Sequence, residues 1–299
     1  MSPGTVAIVG TGEMGSAVGG LLHAHSLDVI TNLSGRSPHS TALAKAAGMR
    51  DVGNDGSLVG EADLILSILP PAHAVGFAQT VAAALKANGA NVLFAECNAV
   101  SPETTRRIEG IITQAGSSFV DAGILGPPPR PDSSNTIFYA SGEHAARLAG
   151  LNGFGLRVKD IGDVIGHASA IKMCYAAITK GLWALAIEAL VATRALGIEE
   201  PFMAELQDSQ AVLHGRFAKS IPGIPPKAER WIPEMLEIAA TFDSVGLTPR
   251  IFEGAADMYR LMHSSPLGAE KQGKRVRGTD LPDVLKVMAE ALSPPDRSE

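Results

Sequence analysis

Short apolar runs alternate with amphipathic stretches through the first half of the chain, and longer apolar stretches with few strand signals follow. Residues 6–9, 62–69 and 91–95 are mainly apolar runs, typical of strands that are buried on both faces of a parallel sheet. The stretches at 13–24 and 72–87 have the length and spacing of crossover helices. This alternation predicts a doubly wound, mostly parallel α/β sheet.

The remaining segments extend this prediction and indicate where the sheet ends. Further strands are predicted at residues 28–32, 49–52, 119–122, 136–140 and 156–161, and further helices at 39–47 and from Pro102, with Ser101 as the cap. We predict an α/β domain over residues 1–165 and an all-α domain over 166–299, built on a long helix at 167–196. Because that helix is apolar almost all round and carries a few charges, we expect it to be buried in protein and not to span a membrane.

Three glycines follow the first strand in the spacing G-x-G-x-x-G, namely Gly10, Gly12 and Gly15. In dinucleotide-binding folds the first glycine permits a tight turn, the second lets a pyrophosphate approach the backbone, and the third lets helix and strand pack closely. The helix that follows points N–H groups at that pyrophosphate. The sequence therefore predicts a Rossmann dinucleotide site. The same turn also contributes Thr11, Glu13 and Met14.

The loop after the second strand indicates which dinucleotide binds. NAD-binding domains carry Asp or Glu at the end of this strand, where it holds the ribose 2′-hydroxyl. Asn32 takes that position here, and Ser34, Arg36 and Ser37 follow. A guanidinium with two hydroxyls suits a 2′-phosphate, so we predict NADP rather than NAD. The alternative is that Arg36 is a solvated surface arginine.

Further candidates lie where the predicted strands end, because ligands of doubly wound sheets bind outside the carboxyl ends of the strands. Leu69, Pro70 and Pro71 follow one strand and are predicted to line the cofactor. Asn98 follows the next strand, where it either contacts the nicotinamide ribose or the substrate, or caps a turn. The proline-rich loop that ends in Arg130 either fixes an anion-binding group at the rim of the site or is a surface connection.

The predicted long helix places a lysine among apolar residues. Lys172, Tyr175 and Thr179 lie on one helical face, and Lys180 lies one residue further round. A buried lysine is costly unless it is paired or functional, and desolvation suits it to proton transfer near neutral pH. We predict that Lys172 is a general acid/base, with Tyr175 and Asn98 as further catalytic candidates. The alternative is that Lys172 reaches the surface or pairs with a carboxylate such as Asp163.

Composition excludes several classes of protein. The chain has 299 residues, of which 45% are hydrophobic and 19% charged, so it can bury a sizeable core. A net charge of −6 without a basic stripe argues against a nucleic-acid partner. Cys97 and Cys174 are too few for a disulfide framework and are expected to be buried thiols. With no signal-peptide pattern, we expect a cytoplasmic protein, and we expect no metal site.

Five motifs occur in a fixed order within residues 5 to about 196: Gly-Thr-Gly-Glu-Met-Gly, Leu-Pro-Pro, Glu-Cys-Asn-Ala-Val-Ser-Pro, Val-Asp-Ala-Gly-Ile-Leu-Gly and Ser-Ala-Ile-Lys-Met. Together they resemble the β-hydroxyacid dehydrogenase family, relatives of 6-phosphogluconate and 3-hydroxyisobutyrate dehydrogenases. The rest of the chain resembles a branch whose C-terminal helical domain has no assigned function. The resemblance implies a homodimer or homotetramer formed through the helical domains. It also matches the family lysine to Lys172, which would take a proton from a substrate hydroxyl as hydride passes to NADP⁺.

Two positions depart from the family pattern. The serine and two glycines that bind the substrate carboxylate are matched here by Leu125, Gly126 and Pro127, and the asparagine three residues after the lysine is matched by Tyr175. We therefore expect a small-molecule substrate other than the standard 3-hydroxy acid. Its candidate contacts are Leu125, Gly126, Pro127, Arg130, Thr179 and Lys180. Two competing hypotheses are an imine reductase, which shares the domain plan, and an NADP(H)-binding redox sensor without turnover.

Overall fold

The computed structural model describes residues 3–130, 135–271 and 274–292. The chain forms two compact units, Met1–Cys174 and Tyr175–Glu299. The first unit contains the sheet and its crossover helices, and the second unit is helical. The predicted α/β and all-α classes are therefore confirmed, whereas the domain division at residue 165 stays a prediction.

Among the described residues, eight strands form one sheet in the order β3-β2-β1-β4-β5-β6-β7-β8. The strands are β1 (Thr5–Val9), β2 (Asp28–Thr31), β3 (Arg50–Asp51), β4 (Leu64–Ser67), β5 (Leu93–Glu96), β6 (Ser118–Leu125), β7 (Ile137–Ser141) and β8 (Val158–Asp160). Neighbouring strands pair in parallel from β3 to β6, and β7 runs antiparallel to β6. The carboxyl ends of β1, β2, β4, β5 and β6 therefore lie at one edge of the sheet.

Helices cover both faces of this sheet. They are α1 (Glu13–Ala24), α2 (Pro38–Ala46), α3 (Asp55–Glu61), α4 (Ala74–Asn88), α5 (Pro102–Thr113) and α6 (Ala145–Ala149). One buried cluster includes Ile8 and Leu22 and extends to β8, and a second on the other face includes Phe94 and Ile108. As predicted, Ser101 caps α5 by accepting a hydrogen bond from Thr104 N at 3.2 Å. The sequence pattern missed α3 and α6, which are short.

The long helix comprises α7 (His167–Ala176), a π-helical turn (Ala177–Gly181) and α8 (Leu182–Ala195). Its predicted burial on all sides is wrong, because Ile178 is 74% exposed and Leu185 is 63% exposed. Cys174 is likewise exposed, whereas Cys97 is buried as expected. The stretch His167–Ala195 is long and apolar enough to cross a membrane, and 39% of its most apolar window is buried. A single helix of this kind is weak evidence for a membrane span.

The second unit packs the remaining helices around α8. They are α9 (Glu199–Ser209), α10 (Ala211–Ser220), α11 (Ala228–Asp243), α12 (Arg250–Ser264) and α13 (Leu281–Glu290). Helices α11 and α12 pack closely against each other, and α13 packs on α8. The rings of Trp231 and Tyr259 meet edge to face, with centroids 5.3 Å apart. Both side chains are buried, so this aromatic pair anchors the core of the unit.

Candidate functional site

The turn between β1 and α1 has the geometry that the glycine spacing predicts. Gly10 has a φ of 93°, and a Cβ there would lie 2.1 Å from Ile68 O. A Cβ on Gly15 would lie 2.0 Å from Gly10 O, so helix and strand touch at this point. A Cβ on Gly12, in contrast, would meet no atom within 4 Å. Two glycines are thus required by packing, and the middle one faces open space.

This open space suits the pyrophosphate of a dinucleotide. Helix α1 begins at Gly12 without a side-chain cap, so its first N–H groups are available to an anion. Thr11 Oγ1 is buried and has no hydrogen-bond partner among the described residues. Thr11, Glu13 and Met14 occupy the turn and the first helical positions, as predicted. The residues present therefore fit a dinucleotide.

The loop after β2 is held by side-chain hydrogen bonds that leave its arginine outside. Asn32 Nδ2 donates to Asp55 Oδ1 at 2.8 Å, and Asn32 Oδ1 accepts from Ser34 N at 3.0 Å. Ser34 Oγ donates to Gly53 O at 2.5 Å. Ser37 caps α2 by accepting a hydrogen bond from Ser40 N at 3.2 Å. Arg36 is exposed, and it forms no ion pair or side-chain hydrogen bond with the residues that the structure describes.

The ends of β4 and β5 are joined through Asn98. Its Oδ1 accepts a short hydrogen bond from Leu69 N, and its Nδ2 donates to Ser67 Oγ at 3.0 Å. Asn98 is only 3% exposed, so its amide holds the turn that leads into Pro70 and Pro71. This placement matches the turn-capping alternative, and a catalytic role for Asn98 stays a prediction.

A buried carboxyl lies beneath this turn. Glu96 Oε1 accepts from Asn98 N at 2.9 Å. Burial raises the pKa of Glu96 to about 8, and nearby Asp121 adds to the rise. Glu96 and Asp121 are direct neighbours across β5 and β6. Burial also raises the pKa of Asp121, against the opposing effect of the hydrogen bonds that it accepts. Sequence reasoning missed both acids, and an acid within an apolar strand was the available signal.

Lys172 lies at the carboxyl end of β6. Its Nζ donates to Ile124 O at 2.7 Å, and the side chain is partly buried. The alternative partner Asp163 is exposed and shares no ion pair with Lys172 among the described residues. Because β6 and β1 end at the same edge of the sheet, the Lys172 ammonium and the glycine turn share that edge. The lysine and the glycine turn thus occur together within the first unit.

The loop after β6 offers few backbone donors. Leu125 ends the strand, and Gly126 turns with a φ of 110°. The next three residues, Pro127, Pro128 and Pro129, have no N–H group. Arg130 is exposed, and the rest of this loop, residues 131–134, lies outside the described residues. A carboxylate at this loop would therefore find fewer backbone N–H groups than a serine and two glycines provide.

The other candidates on the long helix belong to the second unit. Tyr175 is 53% exposed, and Thr179 Oγ1 donates to Tyr175 O at 3.0 Å. Lys180 forms a short ion pair with the Glu234 carboxylate, and its Nζ lies 5.3 Å from the centre of the Trp231 ring. Lys180 is therefore paired within the helical core, which the sequence did not indicate. No cluster of His, Cys, Asp or Glu that could hold a metal occurs among the described residues.

Comparisons with known proteins agree with this geometry. Residues 5–149 match the NAD binding domain of 6-phosphogluconate dehydrogenase, and residues 193–262 match a domain of unknown function, DUF1932. The chain is 26% identical over 256 residues to an uncharacterized 28.5 kDa protein of Methanothermus fervidus, an alignment that covers 85% of this chain and 97% of that protein.

Solved structures show the same fold. A conserved protein of unknown function, described as structurally similar to 3-hydroxyacid dehydrogenases, is 28% identical with a TM-score of 0.61, over 86% of this chain and 98% of that one. The 3-hydroxyisobutyrate dehydrogenase of Mycobacterium tuberculosis is 18% identical with a TM-score of 0.68. The alignment covers 98% of this chain and 100% of that one. An imine reductase of Myxococcus stipitatus with NADP⁺ is 20% identical with a TM-score of 0.52. The alignment covers 94% of this chain and 98% of that one. The same enzyme has a variant structure with NAD⁺.

The match over residues 5–149 lies in the first unit, where the glycine turn and the strand edge are found. The glycine turn and the parallel strand edge lie within the residues that match an NAD binding domain, and the fold, with α7 after β8, is shared with a solved 3-hydroxyisobutyrate dehydrogenase. The chain therefore contains, over residues 5–149, a domain similar to the NAD binding domain of 6-phosphogluconate dehydrogenase and, over residues 193–262, a domain that matches DUF1932.

Proposed function

We propose that the protein is an NADP-dependent oxidoreductase that transfers a hydride between the nicotinamide and a hydroxy acid or a related hydroxyl or carbonyl compound, with Lys172 as general acid/base. The observation that carries this proposal is the bond from Lys172 Nζ to Ile124 O, which fixes an ammonium at the same sheet edge as the glycine turn. The match of residues 5–149 to a dehydrogenase NAD-binding domain supports it.

In this proposal the chain supplies binding and proton transfer. The open space at Gly12 and the uncapped start of α1 bind the pyrophosphate. When bound, the nicotinamide supplies the site that accepts or gives the hydride. As the neutral amine, Lys172 takes the proton from a substrate hydroxyl in oxidation and becomes an ammonium; as the ammonium, it gives a proton to the carbonyl oxygen in reduction. An ammonium has three N–H donors, and the bond to Ile124 O fixes where that head group lies.

The test is Lys172→Ala, assayed with a panel of hydroxy acids, sugar acids, carbonyl compounds and imines by NADPH absorbance. General acid–base catalysis contributes about 10²–10⁴-fold, so kcat should fall by that factor while NADPH affinity is unchanged. Lys159→Ala is the matched control, because Lys159 is an exposed lysine of β8. Near-normal turnover by Lys172→Ala would remove the lysine from the mechanism.

We propose a preference for NADP because Arg36 is an unpaired guanidinium, among the described residues, beside the start of α2. Asp55 offers the opposite chemistry, since its carboxylate reaches Asn32 and could accept from a ribose hydroxyl. Arg36→Ala should raise KM for NADPH about 10-fold and leave KM for NADH unchanged. Arg107→Ala, at an exposed arginine of α5, is the control. An unchanged preference in Arg36→Ala would refute the assignment.

The same panel separates the alternatives. Turnover of imines without turnover of hydroxy acids would identify an imine reductase, whose fold this chain shares. Tight NADPH binding with no oxidation across the panel would favour a redox sensor. The roles of Tyr175, Thr179, Lys180 and Arg130 toward a substrate stay predictions, as does the cytoplasmic location.

We also propose a homodimer or homotetramer formed through the helical unit. Exposed apolar side chains recur along the long helix at Ile178, Leu185 and Leu196, whose exposed fractions are 74%, 63% and 72%. Leu185 and Leu196 are eleven residues apart, which keeps them on one side of α8 and its C-cap, and Ile178 lies in the π-helical turn that precedes α8. Such a stripe is stabilised when a second copy of the chain covers it.

A further inference from the structure

We propose that Asp121 and Gly123 of β6 are positioning residues that fix the place of Lys172, one by capping the start of α7 and the other by letting that helix touch the sheet. The inference rests on the proposed role of Lys172. It goes beyond that role because neither residue contacts a reacting group, and both act through the backbone of α7.

Asp121 holds the first turn of α7 from the neighbouring strand. Its Oδ2 accepts from Gly166 N at 3.0 Å and from Ser169 N at 3.1 Å, and its Oδ1 accepts from Ser169 Oγ at 2.5 Å. Asp121 is fully buried. A carboxylate that accepts backbone N–H groups at a helix start satisfies orphan donors and opposes the positive end of the helix dipole. This cap comes from a residue 45 or more positions away, and it ties the helix to the sheet.

Ser141 and Thr105 also help to attach the start of α7 to the first unit. Ser141 Oγ donates to Asp121 Oδ2 at 2.9 Å and accepts from Ala168 N at 3.0 Å. Thr105 Oγ1 lies 2.7 Å from Ser169 Oγ. Three successive elements of the first unit, α5, β6 and β7, therefore hold a single helical turn. All of these side chains are buried, so water does not compete for the bonds.

Gly123 sets the distance between α7 and β6. A Cβ at this position would lie 2.6 Å from Ala168 O and 3.2 Å from Lys172 Cβ. Ordinary contact begins near 3.4 Å, so the helix would have to move by about 0.8 Å to accommodate a methyl group. Only a glycine allows the present approach. Ala168 is one helical turn before Lys172, so the contact acts directly on the turn that carries the lysine.

Both anchors therefore determine whether Lys172 Nζ reaches Ile124 O. That bond measures 2.7 Å, and a shift of about 0.8 Å along it would break it. Displacements near 1 Å at a reacting group cost about 10²-fold in rate. The position of the Lys172 side chain thus depends on Asp121 and Gly123 as well as on the lysine itself. Substituting either one should displace the ammonium while the dinucleotide turn, which is built on β1 and α1, is unaffected.

The experiment measures the position of Lys172 without any substrate. The native protein is labelled with acetic anhydride over a range of pH, and the modification rate of each lysine is read by mass spectrometry, with Lys159 as the internal reference. In Asp121→Asn and in Gly123→Ala we expect Lys172 to react about tenfold faster than in the wild type, because its bond to a carbonyl is lost. We also expect the pH profile of its rate to shift, whereas that of Lys159 does not.

Matched controls distinguish positioning from general loosening. Asp63→Asn changes a carboxylate that accepts two backbone N–H groups, from Gly4 and Thr5, at the opposite edge of the sheet. Gly110→Ala adds a methyl group in open space on α5. Both controls should leave Lys172 labelling within twofold of the wild type. Ser169→Ala, which removes one donor to Asp121, is the milder variant should Asp121→Asn fail to fold, and it should raise the rate in the same direction.

The inference would be overturned if Lys172 labelling stayed within twofold of the wild type in two folded variants. These are Gly123→Ala and either Asp121→Asn or Ser169→Ala. Equal acceleration in the two controls would overturn it as well. Because the labelling needs neither substrate nor cofactor, its outcome is independent of whether Lys172→Ala retains turnover. With a substrate in hand, Gly123→Ala should lower kcat about 100-fold and leave KM for NADPH unchanged.

Discussion

Gly12 and Gly15 differ in the space around their α-carbons, so alanine at each position should have a different effect. At Gly12 the backbone is extended, with φ −77° and ψ −167°, and a new Cβ meets nothing within 4 Å. Gly12→Ala gains about 0.4–1 kcal/mol from the less flexible unfolded chain and loses about 1 kcal/mol at the helix cap, where alanine is a poorer capping residue than glycine. We therefore expect the free energy of unfolding to change by less than about 1 kcal/mol.

The same methyl group occupies the space where the pyrophosphate approaches the backbone. Losing one hydrogen bond to a charged phosphate costs about 1.5–3 kcal/mol, so the affinity for NADPH should fall about 10–100-fold. At Gly15 the new Cβ lies 2.0 Å from Gly10 O and 3.3 Å from Ile8 Cγ2. Backbone cannot rotate away, so Gly15→Ala should destabilise the first unit by about 3 kcal/mol or more.

The assay is a fluorescence titration with NADPH alongside thermal unfolding. Gly12→Ala should bind weakly and melt normally, whereas Gly15→Ala should lose both properties. Gly110→Ala, a helical glycine with open space around it, is the control and should bind normally. Normal NADPH affinity in Gly12→Ala would refute the assignment of the open space, and normal stability in Gly15→Ala would refute the close contact.

Three further predictions concern stability, pH and assembly. Glu234→Gln leaves the partly buried Lys180 ammonium without its carboxylate partner, so it should destabilise the protein by about 1–3 kcal/mol in thermal unfolding, whereas exposed Glu229→Gln on α11 should cost less than about 1 kcal/mol. Because burial raises the pKa of Glu96 from its ordinary 4.5 to about 8, the contribution of this group to stability is full below pH 4.5, falls as the pH rises from about 4.5 to about 8, and changes no further above that. Urea unfolding at both ends of this range should show a smaller loss for Glu96→Gln, and an identical loss would contradict the assignment. Leu185→Lys should convert the proposed homo-oligomer to monomers in light scattering, while Val212→Lys, at another exposed apolar position, should not.

The sheet and its nucleotide turn could be predicted because their signals are local. Apolar runs marked the strands, and a glycine spacing marked the turn between β1 and α1. Helix α3 was missed because its sequence, Asp-Gly-Ser-Leu-Val-Gly-Glu, contains two glycines and turn-forming residues that resemble a loop. Its N-cap, Asn54, accepts a hydrogen bond from Ser57 N at 2.8 Å. This cap stabilises a helix whose residues have low intrinsic helix propensity.

The contacts that fix the candidate site could not be predicted, because they join residues far apart in sequence. Asp121 meets Ser169, and Lys180 meets Glu234, across 48 and 54 positions. A single sequence gives no pattern from which such pairs can be inferred. The exposed face of the long helix could not be predicted either. An apolar stripe that faces solvent consists of the same residue types as one that faces a core.

The strand order has a consequence for how the protein is made. Once β4 has paired beside β1, every later strand joins the sheet next to its predecessor, at the same edge. A chain leaving the ribosome can therefore extend the sheet in the order of synthesis, without opening any earlier pair. A pause after β5 would leave Leu93–Glu96, a fully buried strand in the finished protein, as the open edge. Nascent chains arrested there should be the ones that chaperones retain and that aggregate most readily.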